Sequence, residues 1–229
     1  MSLGLLDGGI AMLKTLASAA LAIAIIAPPA FAQSPAWVEA KANVASVKQR
    51  PTLLDGPGAK IPESEKALGH HGPVVVEGIL SIDGRLTEAR VEVSSKAPVL
   101  DDVALAAANA TTFTPARDAN GAPIAIVISV PFSLVGYKSE TGGVFEYKCG
   151  QFVRDMDWWK SVNPDRPFSE HELHKLELGM MVSQALLSIG GDSREKMKSI
   201  GPDFDIRWQT AIERCRKNPS MLQKDAVFR

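Results

Sequence analysis

Val74–Val93 reads VVVEGILSIDGRLTEARVEV, and the fold is decided there. Val74 to Ile82 is strand-like, and Leu86 to Val93 returns as a second strand. Between them Asp83-Gly84 tolerates φ > 0 at both positions, so the spacing predicts a two-residue type I′ hairpin. The returning strand sets Thr87, Ala89, Val91 and Val93 against Glu88, Arg90 and Glu92, one face for a core and one for water. Further along, Leu100 to about Thr111 predicts a helix, with Leu100, Ala104, Ala107 and Thr111 on one face and alanines that let it approach a sheet closely. Phe113–Arg117 ends that helix, and Asn120-Gly121 turns the chain into a third strand, Ile124 to Leu134. Pro131 has no N–H for a ladder, so it either sets this strand at an edge or terminates it. An edge offers unpaired N–H and C=O groups to another chain. Towards the N-terminus, Pro62–Gly69 predicts a short helix with proline first, acids in its first turn and glycine at its end. Trp37, Ala40, Val44 and Val47 give Trp37 to Arg50 a weak helical period, and Leu53 to Gly58 reads as loop.

The 25 basic and 26 acidic residues balance, which excludes nucleic-acid binding by bulk charge and a disordered charged tail. Lys14, the unbroken apolar run Leu16–Ala27 and the ending Ala30-Phe31-Ala32-Gln33 have the three parts of a secretory signal. At ~1.5 Å per residue the run makes about 18 Å of helix, short of a hydrocarbon core of ~30 Å. Residues 1–32 are therefore expected to be removed after export to the periplasm. An uncleaved segment anchored in the inner membrane is the alternative. In an oxidising compartment the two cysteines, Cys149 and Cys215, predict one disulfide closing a loop worth about 4 kcal/mol, with two buried thiols as the alternative.

Composition changes near residue 140, and Lys138–Gly143 is the expected boundary. Beyond it the chain reads as helical. Cys149, Phe152, Val153 and Met156 share one face of a first helix. Ser169-x-x-Glu172 is a capping box for a second, with Leu173, Leu176, Met180 and Leu187 inward and Gly190-Gly191 as its stop. Phe204, Trp208, Ala211, Ile212 and Cys215 mark a third. Both cysteines fall on apolar faces, so a bond between the first and third helices is sensible.

No constellation suggests catalysis. His171 and His174 lie three apart, where a zinc-binding H-E-x-x-H helix needs four, so they read as surface histidines. His70-His71 read as loop residues, and Asp155 and Asp157 as solvated. Trp158-Trp159 is either an exposed patch or half core. Ser94-Ser95 has no base placed by sequence, and neither a phosphate-binding loop nor a nucleotide fingerprint occurs. The expectation is a non-enzyme with no cofactor and no metal.

Eight pieces in order carry a resemblance: IPESEKA (Ile61–Ala67), GPVVV (Gly72–Val76), IDGRL (Ile82–Leu86), VEVSS (Val91–Ser95), VLDDVA (Val99–Ala104), FTPAR (Phe113–Arg117), NGAPI (Asn120–Ile124) and VPF (Val130–Phe132). Residues 61–134 resemble the TonB C-terminal domain family. The resemblance implies an α+β fold, a small three-stranded antiparallel sheet with helices on one face, here followed by an all-α disulfide-linked region. The expected division is 33–60 as a linker with a short helix, 61–136 as the TonB-like domain and 145–229 as the helical domain. The family's last strand accepts an extended peptide from an outer-membrane transporter or another periplasmic protein by strand addition. That places the contact on Ile124, Ala125, Ile126, Val127, Ile128, Ser129 and Val130, and the open edge also permits a homodimer. The chain departs from the family in lacking a long Pro-rich spacer and in having Thr112 where an aromatic is common. The C-terminal half is faintly similar to disulfide-tied periplasmic helical proteins of the HdeA type.

Overall fold

The hairpin forms, but with a longer loop than the dipeptide predicts. The computed structural model describes residues 33–137, 143–188 and 194–228. The apolar run and its cleavage motif, residues 138–142 of the expected boundary, and Gly190-Gly191 lie outside the described residues. In chain order the elements are α1 (Pro35–Asn43), β1 (Leu53–Asp55), α2 (Glu63–Leu68), β2 (Gly72–Leu80), β3 (Leu86–Val93), α3 (Pro98–Ala110), β4 (Thr112–Phe113), β5 (Ala116–Arg117), β6 (Pro123–Ile124) and β7 (Ile126–Leu134). They continue with α4 (Cys149–Val162), α5 (Glu172–Ser188), α6 (Arg194–Lys217) and α7 (Gln223–Phe228). Gly84 N–H donates to Ser81 C=O at 3.0 Å and Ser81 N–H to Arg85 C=O at 2.9 Å. Gly84 has φ +81°, whereas Asp83 does not enter the positive-φ region. This is a three-residue loop, a type I turn followed by a left-handed glycine, in place of the expected two-residue I′ turn. A Cβ on Gly84 would lie 2.0 Å from the Phe113 carbonyl oxygen, so the close approach of β4 also requires glycine.

β3 also departs from simple alternation. Its pairing with β2 shifts between Glu77/Ile79 and again between Val75/Val76, and Glu88 has φ +49°. Each shift is a bulge with one extra residue on β3. The first puts Leu86 on the same core-facing side as Ala89 and Val91 and turns Thr87 outwards.

The main sheet has the order β3-β2-β7, all antiparallel. One face carries Val74, Val76, Leu80, Leu86, Ile126 and Leu134, packed on Leu100, Ala104 and Ala108 of α3. Leu100 is fully buried, and such a side chain contributes about 1.5–3 kcal/mol. Helix α3 takes the expected place. Helix α1 packs on the opposite face, where Trp37 and Ala40 meet Ile79 and Val127. Ser34 caps α1 by accepting the Trp37 N–H at 3.0 Å. Ser34 Oγ also donates to the Glu88 carboxylate, and Arg90 stacks over the Trp37 ring at 4.0 Å. After α1 the chain runs antiparallel to residues 112–117, with Leu53 opposite Phe113 and Gln49 bridged to Arg117. Part of the segment read as loop is thus strand β1.

The C-terminal helices build a second core from Phe152, Met156, Leu173, Phe204, Trp208, Ala211 and Ile212. Cys149 and Cys215 are bonded, with Cα atoms 4.7 Å apart, joining α4 to α6 as expected. Helix α5 differs from its reading. Leu176 and Leu187 are exposed, and the buried face is Leu173, His174 and Glu177. The cap differs too: His171 Nδ1 accepts the Leu173 N–H at 3.1 Å, and its carbonyl accepts the Lys175 N–H, so His171, not Ser169, closes the helix start.

Candidate functional site

The site expected from sequence is the margin formed by the third strand. Nine consecutive residues, Ile126 to Leu134, pair with Leu80 to Gly72 in an unbroken register. On its other side β7 has no strand among the described residues. Pro131 sits opposite Val75; a residue without an N–H fits where the backbone points away from the partner strand. Alternate residues of an antiparallel strand share that direction, so the N–H and C=O groups of Val127, Ser129 and Ser133 also face outwards. Ser129, Pro131 and Ser133 are exposed. The opposite margin, β3, is blunted by two bulges and by Glu88, Arg90 and Glu92. Of the two edges, β7 is the regular one.

The seven expected contact residues do not all lie on this margin. Ile124 belongs to β6 and pairs with Ala116 of β5, and the Ala125 carbonyl accepts a hydrogen bond from Asn43 Nδ2 at 3.1 Å. Ile126, Val127, Ile128, Ser129 and Val130 are on β7. Alongside them lies a cavity of about 520 Å³ lined by Val44, Val47, Arg50, Leu53, Phe113, Ile126 and Ile128. Its far wall, residues 44–53, was readable only as a weak apolar period.

The helical half fastens to the sheet at another place. Gln151 Nε2 donates to the Lys66 carbonyl at 2.8 Å, and Trp158 Nε1 to the His71 carbonyl at 3.2 Å. Gly69 ends α2 with φ +79°, and a Cβ there would lie 2.5 Å from the Arg154 backbone. Ser133 Oγ, near the end of β7, donates to Glu172 at 3.4 Å. Val127 to Pro131 stay clear of these contacts. Trp158 packs against the sheet core and Trp159 against Phe168 and His171. The pair is therefore an internal junction and not an exposed patch.

The same junction buries polar groups that the sequence placed at the surface. His71, His171 and Asp155 are each no more than 5% exposed there, and His174 is buried against Phe204 and Trp208 within the helical core. His71 Nε2 and His171 Nε2 are 2.9 Å apart. His171 Nδ1 accepts from Leu173 N–H, so its proton is on Nε2; His71 Nδ1 faces the Gly69 carbonyl at 2.8 Å, which leaves its Nε2 as the acceptor. Burial, then the neighbouring His71, pushes His171 down to about 3. Burial raises the Asp155 carboxyl, which accepts from Tyr147 Oη and Gln151. No group of three or more possible ligands gathers for a metal among the described residues.

Residues 58–134 match the model of the Gram-negative bacterial TonB protein C-terminal family. That segment is a TonB C-terminal domain. The match covers about a third of the chain, begins just before α2 and ends on the last residue of β7. The match ties this domain to the Gram-negative TonB proteins. No helix among the described residues is long and apolar enough to cross a membrane. No curated relative matches the chain.

Proposed function

We propose that this is a periplasmic, non-catalytic binding protein whose TonB C-terminal domain holds an extended peptide of an outer-membrane transporter, or of another periplasmic protein, as a fourth strand on β7. The observation that carries the reading is the unbroken nine-residue register of β7 with β2 on one side and, among the described residues, no strand on the other. Main-chain hydrogen bonds to the outward groups of Val127 and Ser129 supply affinity in this mode, and alternate side chains supply specificity. Export and release rest on Lys14, the short apolar run and the Ala30-Phe31-Ala32 ending; an intact mass starting at Gln33 supports them, and a retained segment favours the anchored transducer instead. The decisive experiment is amide exchange with a peptide from the periplasmic face of an outer-membrane transporter. Slowed exchange at Val127 and Ser129 is expected. Protection confined to β3 or to the helical half would remove the assignment.

A further inference from the structure

Helix α5 carries an apolar stripe that the helical core does not use. Leu173 is buried in that core, but Leu176, Met180, Ser183 and Leu187, at successive turns of the same helix, line a cavity of about 910 Å³. Its size falls within the ~300–1,000 Å³ typical of ligand pockets. Val144 and Phe145, just before α4, and Phe228 at the end of α7 form the facing wall. Leu187 is 90% exposed and Phe145 56%, and Leu176 and Phe228 are exposed beside them. Apolar surface gathered in this way around one groove marks a binding site. Gly179 lies in the middle of the stripe. Glycine is unfavourable inside a helix, yet here neither a positive φ nor a crowded neighbour requires it, since a Cβ would meet nothing within 4 Å. At that turn the floor of the groove is bare backbone, open to a guest.

The basic groups of the lining are Lys175 and Lys224, each within two positions of the 2.9 Å hydrogen bond that Gln223 donates to Glu177. Neither ammonium group has a hydrogen bond or ion pair with a described residue, and Lys224 Nζ rests 5.6 Å from the centre of the Phe145 ring. Two acids share the lining. Glu177 is buried, and burial raises it to about 7; Asp225 is half-buried. Positive charge therefore prevails at this end of the groove. From Leu176 to Leu187 the stripe runs about 16 Å at ~1.5 Å per residue. That is about half of a ~30 Å hydrocarbon core, the depth of one acyl chain. Averaged over that length the cavity has a cross-section of about 55 Å², less than the ~80 Å² of a helix about 10 Å wide. It accommodates a chain but not a helix.

We propose that this groove binds a single-chain anionic amphiphile, with its head group at Lys175 and Lys224 and its acyl chain along α5, over Gly179, towards Leu187. The site lies outside residues 58–134 and does not depend on strand addition to β7. A fatty acid and an anionic lysophospholipid share this chemistry.

Titration calorimetry of the full chain tests it, with myristate, decanoate, tetradecanol and myristoyl lysophosphatidylglycerol, each below its aggregation concentration. Myristate is expected to bind one per chain and to slow amide exchange along α5 around Gly179. Decanoate, with its shorter chain, is expected to bind about a hundredfold weaker, and uncharged tetradecanol about fivefold weaker. Gly179→Leu fills the groove with a better helix former, so it is expected to abolish binding without lowering the thermal midpoint. Lys175→Gln combined with Lys224→Gln is expected to bring myristate down to the level of tetradecanol. Binding of only the fatty acid or only the lysolipid supports the site and identifies the head group. Binding of neither, or undiminished binding by a stably folded Gly179→Leu, would overturn the proposal. Equal affinity for myristate and tetradecanol would overturn the charge recognition. Self-association that Gly179→Leu abolishes would assign the groove to a second copy of the chain and overturn the proposal.

Discussion

His71 and His171 form a buried polar contact between the TonB C-terminal domain and the helices. Each ring has one nitrogen fixed by a backbone group, so the 2.9 Å contact between them is satisfied only when both rings are neutral. A proton on His71 Nε2 would set two donors face to face. His171 is held at about 3, below its ordinary 6.5. Between those values the unfolded chain binds a proton that the folded chain does not, so acidification destabilises the fold by about 1.4 kcal/mol per pH unit. Glu177 has the opposite sign: burial raises it from 4.5 to about 7, so the folded state holds the extra proton and stability falls as pH rises through that window. The two slopes oppose each other between 4.5 and 6.5. From these two groups denaturant midpoints measured against pH are expected to be nearly flat there, and to fall below 4.5 where His171 acts without Glu177. In Glu177→Gln the opposition is gone, and the midpoint should climb with pH across 4.5–6.5; an unchanged flat profile would contradict the assignment of the two groups.

Among the elements, β7 combines order with exposure. Its regular register follows from alternating apolar residues that face α3, and Pro131 interrupts the row of outward donors on its outer margin, a feature that guards edges against self-pairing. Replacing it restores a donor at the centre of the margin. Pro131→Thr is expected to form dimers at micromolar concentration, seen as a concentration-dependent mass in sedimentation, while the wild type does not dimerise at the same concentration. If the variant stays monomeric, the proline is not what guards the edge. Helix α5 gives the complementary lesson. Its inward face contains His174 and Glu177, which apolar periodicity passes over, and its exposed Leu176 and Leu187 mislead the same rule.

Across the whole molecule, residues Ser34–Arg229 form one compact unit. The bond between Cys149 and Cys215, 66 positions apart, ties α4 to the end of α6, and α4 in turn carries Gln151, Asp155 and Trp158 to the sheet. A loop of that length is worth about 4 kcal/mol. Reduction is therefore expected to lower the unfolding free energy by about that amount and to speed exchange at Phe152 and Trp208 before it affects Val76. Equal loss of protection at all three would mean that sheet and helices unfold as one cooperative unit.

Local chemistry determined much of this protein. Alternating apolar residues set the three strands, Gly84 set the turn, alanine spacing set α3, and Pro131 set the position of an edge, because each acts over a few residues. The pairing of the two cysteines was also readable, since only two exist. The rest depended on residues distant in sequence. Gly84 closes a three-residue loop because the chain at Phe113 crosses it, and Glu88 bulges where Ser34 reaches it. His71, Asp155 and His171 are buried because α4 and α5 settle on the start of β2, and no spacing rule can record a contact across a hundred residues. The wall from Val44 to Leu53 becomes the side of a groove only through its pairing with residues 112–117.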